Sequence, residues 1–198
     1  MVSEAGNQLG VEAARRLAQR HRRFEPGLTD AEFDRIERAY GFEFADDHRA
    51  FLAAGLPVDD GPTEGRWTLW PDWRNGDPDK LRERLAQPVD GVLFDVEHNR
   101  FWYKAWGDRP TDTQEALATA RTHLARVPRM VPVYSHRCVP AGRGTWGHPV
   151  LSIMQTDVIY YGTDLADFVY QQFGGPCLDR MDERWDPQAT VEFWSYFV

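Results

Sequence analysis

One α+β domain is what the sequence predicts, and three observations predict it. Apolar stripes of helical period and antiparallel hairpin patterns are segregated along the chain instead of alternating as βαβ units. The 198 residues suit a single hydrophobic core. Apolar residues at 42% and charged residues at 27% put the chain among folding globular proteins, away from disordered ones. The expected architecture is an antiparallel or mixed sheet with helices packed mainly on one face.

Leu9, Ala13 and Leu17 recur with helical spacing opposite Arg and Gln, so residues 7–22 read as an amphipathic helix with a basic face. Thr29 followed by Glu32 is a capping-box pattern, Phe33, Ile36 and Tyr40 give a buried stripe, and Gly41 fits the residue after a helix end. Asp46 or Asp47 is placed to cap a second helix through Ala50, Phe51 and Leu52, which Gly55 and Pro57 stop. Strands are expected near 66–70, 92–96, 101–105, 130–136, 148–154 and 157–161, the second and third forming one hairpin and the last two, only three residues apart, a second. Short helices fall over 79–87, ended by a turn from Pro88 to Gly91, and over Ala116–Leu124. Pro132 has no N–H to donate, which marks its strand as an edge or bulged one. Asp164 caps a closing helix through Leu165, Phe168, Val169 and Phe173. The organisation reads as a basic helix over 1–27, a core over 28–173, and an acidic then aromatic tail over 174–198 that docks on the body or on a partner.

The formal charge is -8, yet residues 1–25 carry five arginines against three glutamates, a net +2 that leaves -10 for the remainder. An acidic body repels phosphate backbones, which argues against direct nucleic-acid binding. The N-terminus lacks the apolar core of a signal peptide and no stretch approaches a membrane span, so a cytoplasmic protein without membrane association is expected. Cys138 and Cys177 lie far apart and read as reduced packing residues.

Candidate chemistry is thin. Ser135 and His136 would point to opposite faces of a strand, and Cys138 with His136 or His148 has neither a nucleophile elbow nor an oxyanion hole nearby. Asp95 and Glu97, sharing a strand face beside His98 and Asp157, lack any supporting metal motif. Pro71 and Asp72 give only half of a nuclease pattern, and Gly142, Arg143 and Gly144 lack the rest of a phosphate loop. The reading is therefore no enzyme, no catalytic residue, no metal and no cofactor.

Four stretches together resemble the SUKH superfamily: "LTDAEFDRIERAYGFEFADDHRAFLAAGLP" from Leu28, "WPDWRNGD" from Trp70, "VLFDVEHNRFWY" from Val92, and "VPVYSHRCVP" through "GHPVLSIMQTDVIYYGTDLADF". They span roughly 28–173; Ala45 departs from the pattern, since members often carry proline before the second helix. The resemblance implies an α+β fold, no enzymatic activity, and recognition of protein partners. Among its bacterial members are immunity proteins that neutralise polymorphic toxins, often nucleases; others, of the yeast Smi and Knr type, are regulators of cell-wall synthesis. A toxin module is thus the expected partner, with a binding scaffold in cell-envelope regulation as the alternative.

Arg and Trp dominate interface hot spots because each joins a large contact area to directional hydrogen bonds. On that ground Asp72, Trp73 and Arg74, together with His136, Arg137, Trp146 and His148, form the expected partner-binding patch. If the strands flanking 135–148 pair, the last four should gather at one end of the sheet. Trp73 and Trp146 are both expected to be exposed.

Overall fold

The structure, a computed structural model, describes residues 3–21, 23–59, 68–174 and 191–198. Helix α1 (Glu4–Ala18) begins at Ser3, whose hydroxyl accepts from the Gly6 amide. Helix α2 (Asp30–Tyr40) carries the complete capping box of Thr29 and Glu32 and ends at Gly41 in the left-handed region, at φ 68°. That cap satisfies amide groups which the first turn would otherwise leave open. Thr29→Ala should therefore cost about 1 kcal/mol in urea-induced unfolding, and an unchanged midpoint would contradict it. Helix α3 (Asp46–Ala54) starts without a side-chain cap, because Ala45 holds the capping position. Asp46 and Asp47 lie inside the first turn and are turned to other work. Strands β1 (Phe24–Glu25) and β2 (Leu56–Pro57) form a small antiparallel pair that brings the α1–α2 connection alongside the end of α3.

The largest departure from the sequence expectation is helix α4 (Pro78–His98). It runs through Pro88, so there is no turn at 88–91, no strand at 92–96 and no hairpin with 101–105; a 3-10 turn at Lys104–Trp106 stands in the latter segment. Packing decides the matter over β-propensity. Leu81 and Leu85 enter one apolar cluster and Val92, Leu93 and Val96 another, while buried Asp95 accepts from the Thr156 amide and hydroxyl. Residues 68–70 form a bend and not a strand; the rest of the first expected strand, Trp67 included, lies outside the described residues.

Helix α5 (Thr113–Leu124) leads into an antiparallel meander of β3 (Met130–Tyr134), β4 (Arg137–Pro140), β5 (Val150–Met154) and β6 (Asp157–Gly162), in that spatial order. Strand β4 falls within the segment expected to be a connection. Strand β3 is an edge, where a residue without an N–H is tolerated, and its register shifts between Pro132 and Tyr134. Helix α6 (Leu165–Phe173) follows, capped by Asp164.

Side chains alternate across this sheet. Val131, Val133, Val139 and Val150 belong to the larger cluster with α1, α2, α3, α6 and the start of α4; Met130, Cys138, Leu151, Ile153 and Val158 belong to the smaller one, with the end of α4, α5 and the C-terminal segment. Val191, Phe193 and Trp194 are buried in that second cluster, and the Trp194 indole donates to the Pro128 carbonyl at 3.0 Å. Among the described residues no helix is long and apolar enough to cross a membrane.

Candidate protein-binding site

The loop between β4 and β5 shows the most deliberate construction. Gly142, Gly144 and Gly147 have φ of 146°, 82° and 70°, a backbone path that residues with a Cβ rarely follow. Two adjacent carboxylates in the first turn of α3 tie this path down. Asp46 accepts from the Gly144 amide at 3.0 Å and from the Ser3 amide at 2.7 Å, so one side chain joins the loop to the start of α1. Asp47 accepts from the Gly147 amide at 2.9 Å. The Asp46 amide donates to the Thr145 carbonyl and the Gly142 amide to the Glu43 carbonyl, both at 2.8 Å. Arg143 adds ion pairs to Glu37 at 2.7 Å and Glu43 at 3.2 Å. Trp146 stands on this fixed frame with 40% of its surface exposed, its Cβ close to Gly6 of α1. A shallow groove of about 510 Å³, lined by Asp34, Glu37, Arg38, Gly41, Phe42 and Glu43, lies beside Arg143.

The two carboxylates are in different electrostatic states. Against the burial that would raise it, the Ser3 and Gly144 amides hold Asp46 below the ordinary carboxylate range. Burial pushes Asp47 up to about 6, opposed by the Gly147 and His48 amides and assisted by repulsion from Asp164. His48 moves the opposite way, to about 3, because burial disfavours its imidazolium; neither ring nitrogen has a hydrogen-bond partner. A carboxyl that is easier to protonate in the folded chain makes folding bind protons, so its contribution is complete below the unfolded value and is lost as pH rises through about 6. Between pH 7 and pH 4.5 the wild type should therefore gain about 2 kcal/mol relative to Asp47→Asn, as read by chemical denaturation at each pH. A difference that does not change with pH would contradict this assignment.

The structure separates the residues that the sequence grouped. His136 and Arg137 lie at the β3–β4 turn, where Arg137 pairs in register with Ser152. Trp146 and His148 precede β5, beyond Val150 and so at the other end of the sheet. The four do not gather at one end, because β4 runs between them. Arg137 lies over the Tyr161 ring at 4.4 Å, and His148 is half-buried, with burial lowering its pKa.

Trp73 is corrected more sharply, being 2% exposed and packed edge-on to Phe44 at 5.4 Å. Its charged neighbours serve the local structure. Asp72 accepts from the Arg74 and Asn75 amides, and Arg74 pairs with Glu32 at 2.6 Å and Glu25 at 2.8 Å. The Arg74 guanidinium holds Glu32 down at about 2.

Ser135 and His136 also differ from expectation. They form a turn, with Ser135 at φ 50°, so they do not point to opposite faces, and the Ser135 Oγ lies 3.1 Å from His136 Nδ1. Arg137 approaches the same nitrogen at 3.4 Å, and a guanidinium can only donate, so that nitrogen is the acceptor. Among the described residues no carboxylate hydrogen-bonds to the ring, and the Ser135 amide is engaged by the Leu69 carbonyl. Cys138 is buried and its thiol is pushed up to about 12, far from a nucleophile. Asp95 and Glu97 share a helix and not a strand face, and among the described residues no group of three or more metal-binding side chains converges. Cys177 lies outside the described residues.

The sequence singled out Trp146 through the glycines around it. It missed Asp46 and Asp47 as anchors of that loop, because nothing local links them to residues about a hundred positions away. No family model matches the chain, and no curated protein or solved structure is found to be similar to it.

Proposed function

We propose that this chain is a non-enzymatic protein-binding domain that uses Trp146 as an anchor, and that it acts in the cytoplasm as an immunity protein neutralising a bacterial toxin by direct binding. The observation that carries the binding part is an exposed indole on a loop fixed by buried carboxylates. A rigid aromatic anchor loses little conformational freedom when it docks, so more of its contact energy is kept as affinity. The toxin part is supported by the resemblance of residues 28–173 to the SUKH superfamily and by a net charge that complements a basic partner.

Co-expression tests this reading. Cells carrying a toxin module encoded beside this gene should survive when the chain is present and die when it is omitted. Death in both cases across the neighbouring candidates, or turnover of a small-molecule substrate by the purified chain, would overturn it.

A further inference from the structure

Helix α1, which the sequence sets apart from the core as a basic segment, is seated on α3 at backbone distance through Gly6 and Gly10, both buried. A methyl group on Gly10 would come within 2.1 Å of the Asp47 carbonyl oxygen and 2.7 Å of the Phe51 amide nitrogen. The bare Cα of Gly6 serves a different neighbour. A methyl group there would lie 2.7 Å from the Asp46 Cβ, 2.8 Å from the Ser3 Oγ that caps α1, and 3.1 Å from the Trp146 Cβ. Contacts this short force something to move, and none of these atoms ends a long flexible side chain. The first turn of α1, the first turn of α3 and the stem of Trp146 therefore meet at residue 6.

Asp46 joins the same three parts by hydrogen bonds, with one oxygen to each side. Its Oδ2 accepts from the Ser3 amide at 2.7 Å and its Oδ1 from the Gly144 amide at 3.0 Å. A carboxylate offers an acceptor at both positions, whereas a carboxamide has one oxygen and, in the other place, a donor. Because the two amides approach different atoms, asparagine here would hold α1 or the loop but not both.

We propose that Gly6 and Asp46 are positioning residues for Trp146, so that the first turn of α1 sets where the indole stands and α1 belongs to the partner-binding site. The proposal rests on Trp146 being the anchor described above. An indole fixed before contact spares binding part of its ordering cost, and an indole let loose restores that cost, about two- to tenfold in affinity for one immobilised side chain.

The test begins with the free, isotopically labelled full-length chain. The Trp146 indole N–H resonance, assigned by its loss in Trp146→Ala, should shift in Gly6→Ala and in Asp46→Asn. It should stay in place in Thr29→Ala, which loses stability at the α2 cap and not at the loop. Calorimetric titration then uses a toxin module from which the chain is found to rescue cells, at equal folded fraction. Gly6→Ala and Asp46→Asn should each lose affinity about two- to tenfold, and neither should lose more when combined with Trp146→Ala, since both act through that side chain. If Gly6→Ala does not fold, Asp46→Asn carries the whole test, because it changes the acceptor and not the packed volume. An indole resonance that stays in place in Asp46→Asn overturns the proposal. So does an undiminished loss of affinity in the Trp146→Ala background, which would give the two residues a general structural role. Full-strength binding by Trp146→Ala overturns the anchor reading instead, and the indole resonance of the free chain tells the two failures apart.

Discussion

Trp73→Ala should destabilise the chain by about 3–5 kcal/mol, the range for deleting a large aromatic from a packed interior. The indole meets Phe44 at 5.4 Å, Phe42 at 6.0 Å and Tyr40 at 6.4 Å, so truncation opens a cavity with rings on several sides. Phe44 in turn packs edge-on against Phe33 and His48, which carries the loss into α2 and α3. With net stabilities of about 5–15 kcal/mol, such a loss puts the folded state near its limit. The melting temperature should drop by about 10 °C. Trp73→Phe is the informative companion. It keeps a ring in place and removes an indole N–H that is buried without a hydrogen-bond partner, so it should cost clearly less than the alanine variant. Equal melting temperatures for wild type and Trp73→Ala would mean that the side chain is not in the core.

Trp146→Ala should do the reverse. Its indole is 40% exposed, and alanine keeps the Cβ that lies near Gly6, so stability should stay within about 0.5 kcal/mol of wild type. Binding of the protein partner should weaken by about 2 kcal/mol or more, roughly thirtyfold, as for an aromatic at the centre of an interface. The two tryptophans therefore separate cleanly, one buried in the fold and the other carrying the proposed contact. Exposure distinguishes them where composition does not.

Their sequence neighbourhoods explain why they looked alike. Trp73 sits between Asp72 and Arg74, and charges on both sides suggest solvent. Yet Asp72 is turned back to cap its own turn and Arg74 reaches Glu25 and Glu32 across the chain, which leaves the indole free to point inward. Local patterns were legible where local chemistry decides: the Thr29–Glu32 capping box, the Gly41 end, the Asp164 cap and the β5–β6 hairpin depend on residues within a few positions of one another. Long-range packing hid the rest. The run "VLFDV" has strand-like composition, but Val92 and Val96 are one helical turn apart and both reach the second cluster, and that burial carries α4 past Pro88. Strand β4 has four residues and ends in proline, too short to stand out between two turns. The Asp46 and Asp47 contacts that fix the candidate loop cross about a hundred residues, and no spacing rule reaches that far.

Whether Trp146 holds a partner is decided by calorimetric titration of a toxin module from which the chain is found to rescue cells, run with wild type and with Trp146→Ala at equal folded fraction. Affinity should fall roughly thirtyfold in the variant while its unfolding midpoint stays where it was. Wild-type affinity in Trp146→Ala would contradict it, and the glycine loop would then be a structural connection and not the site where a partner is held.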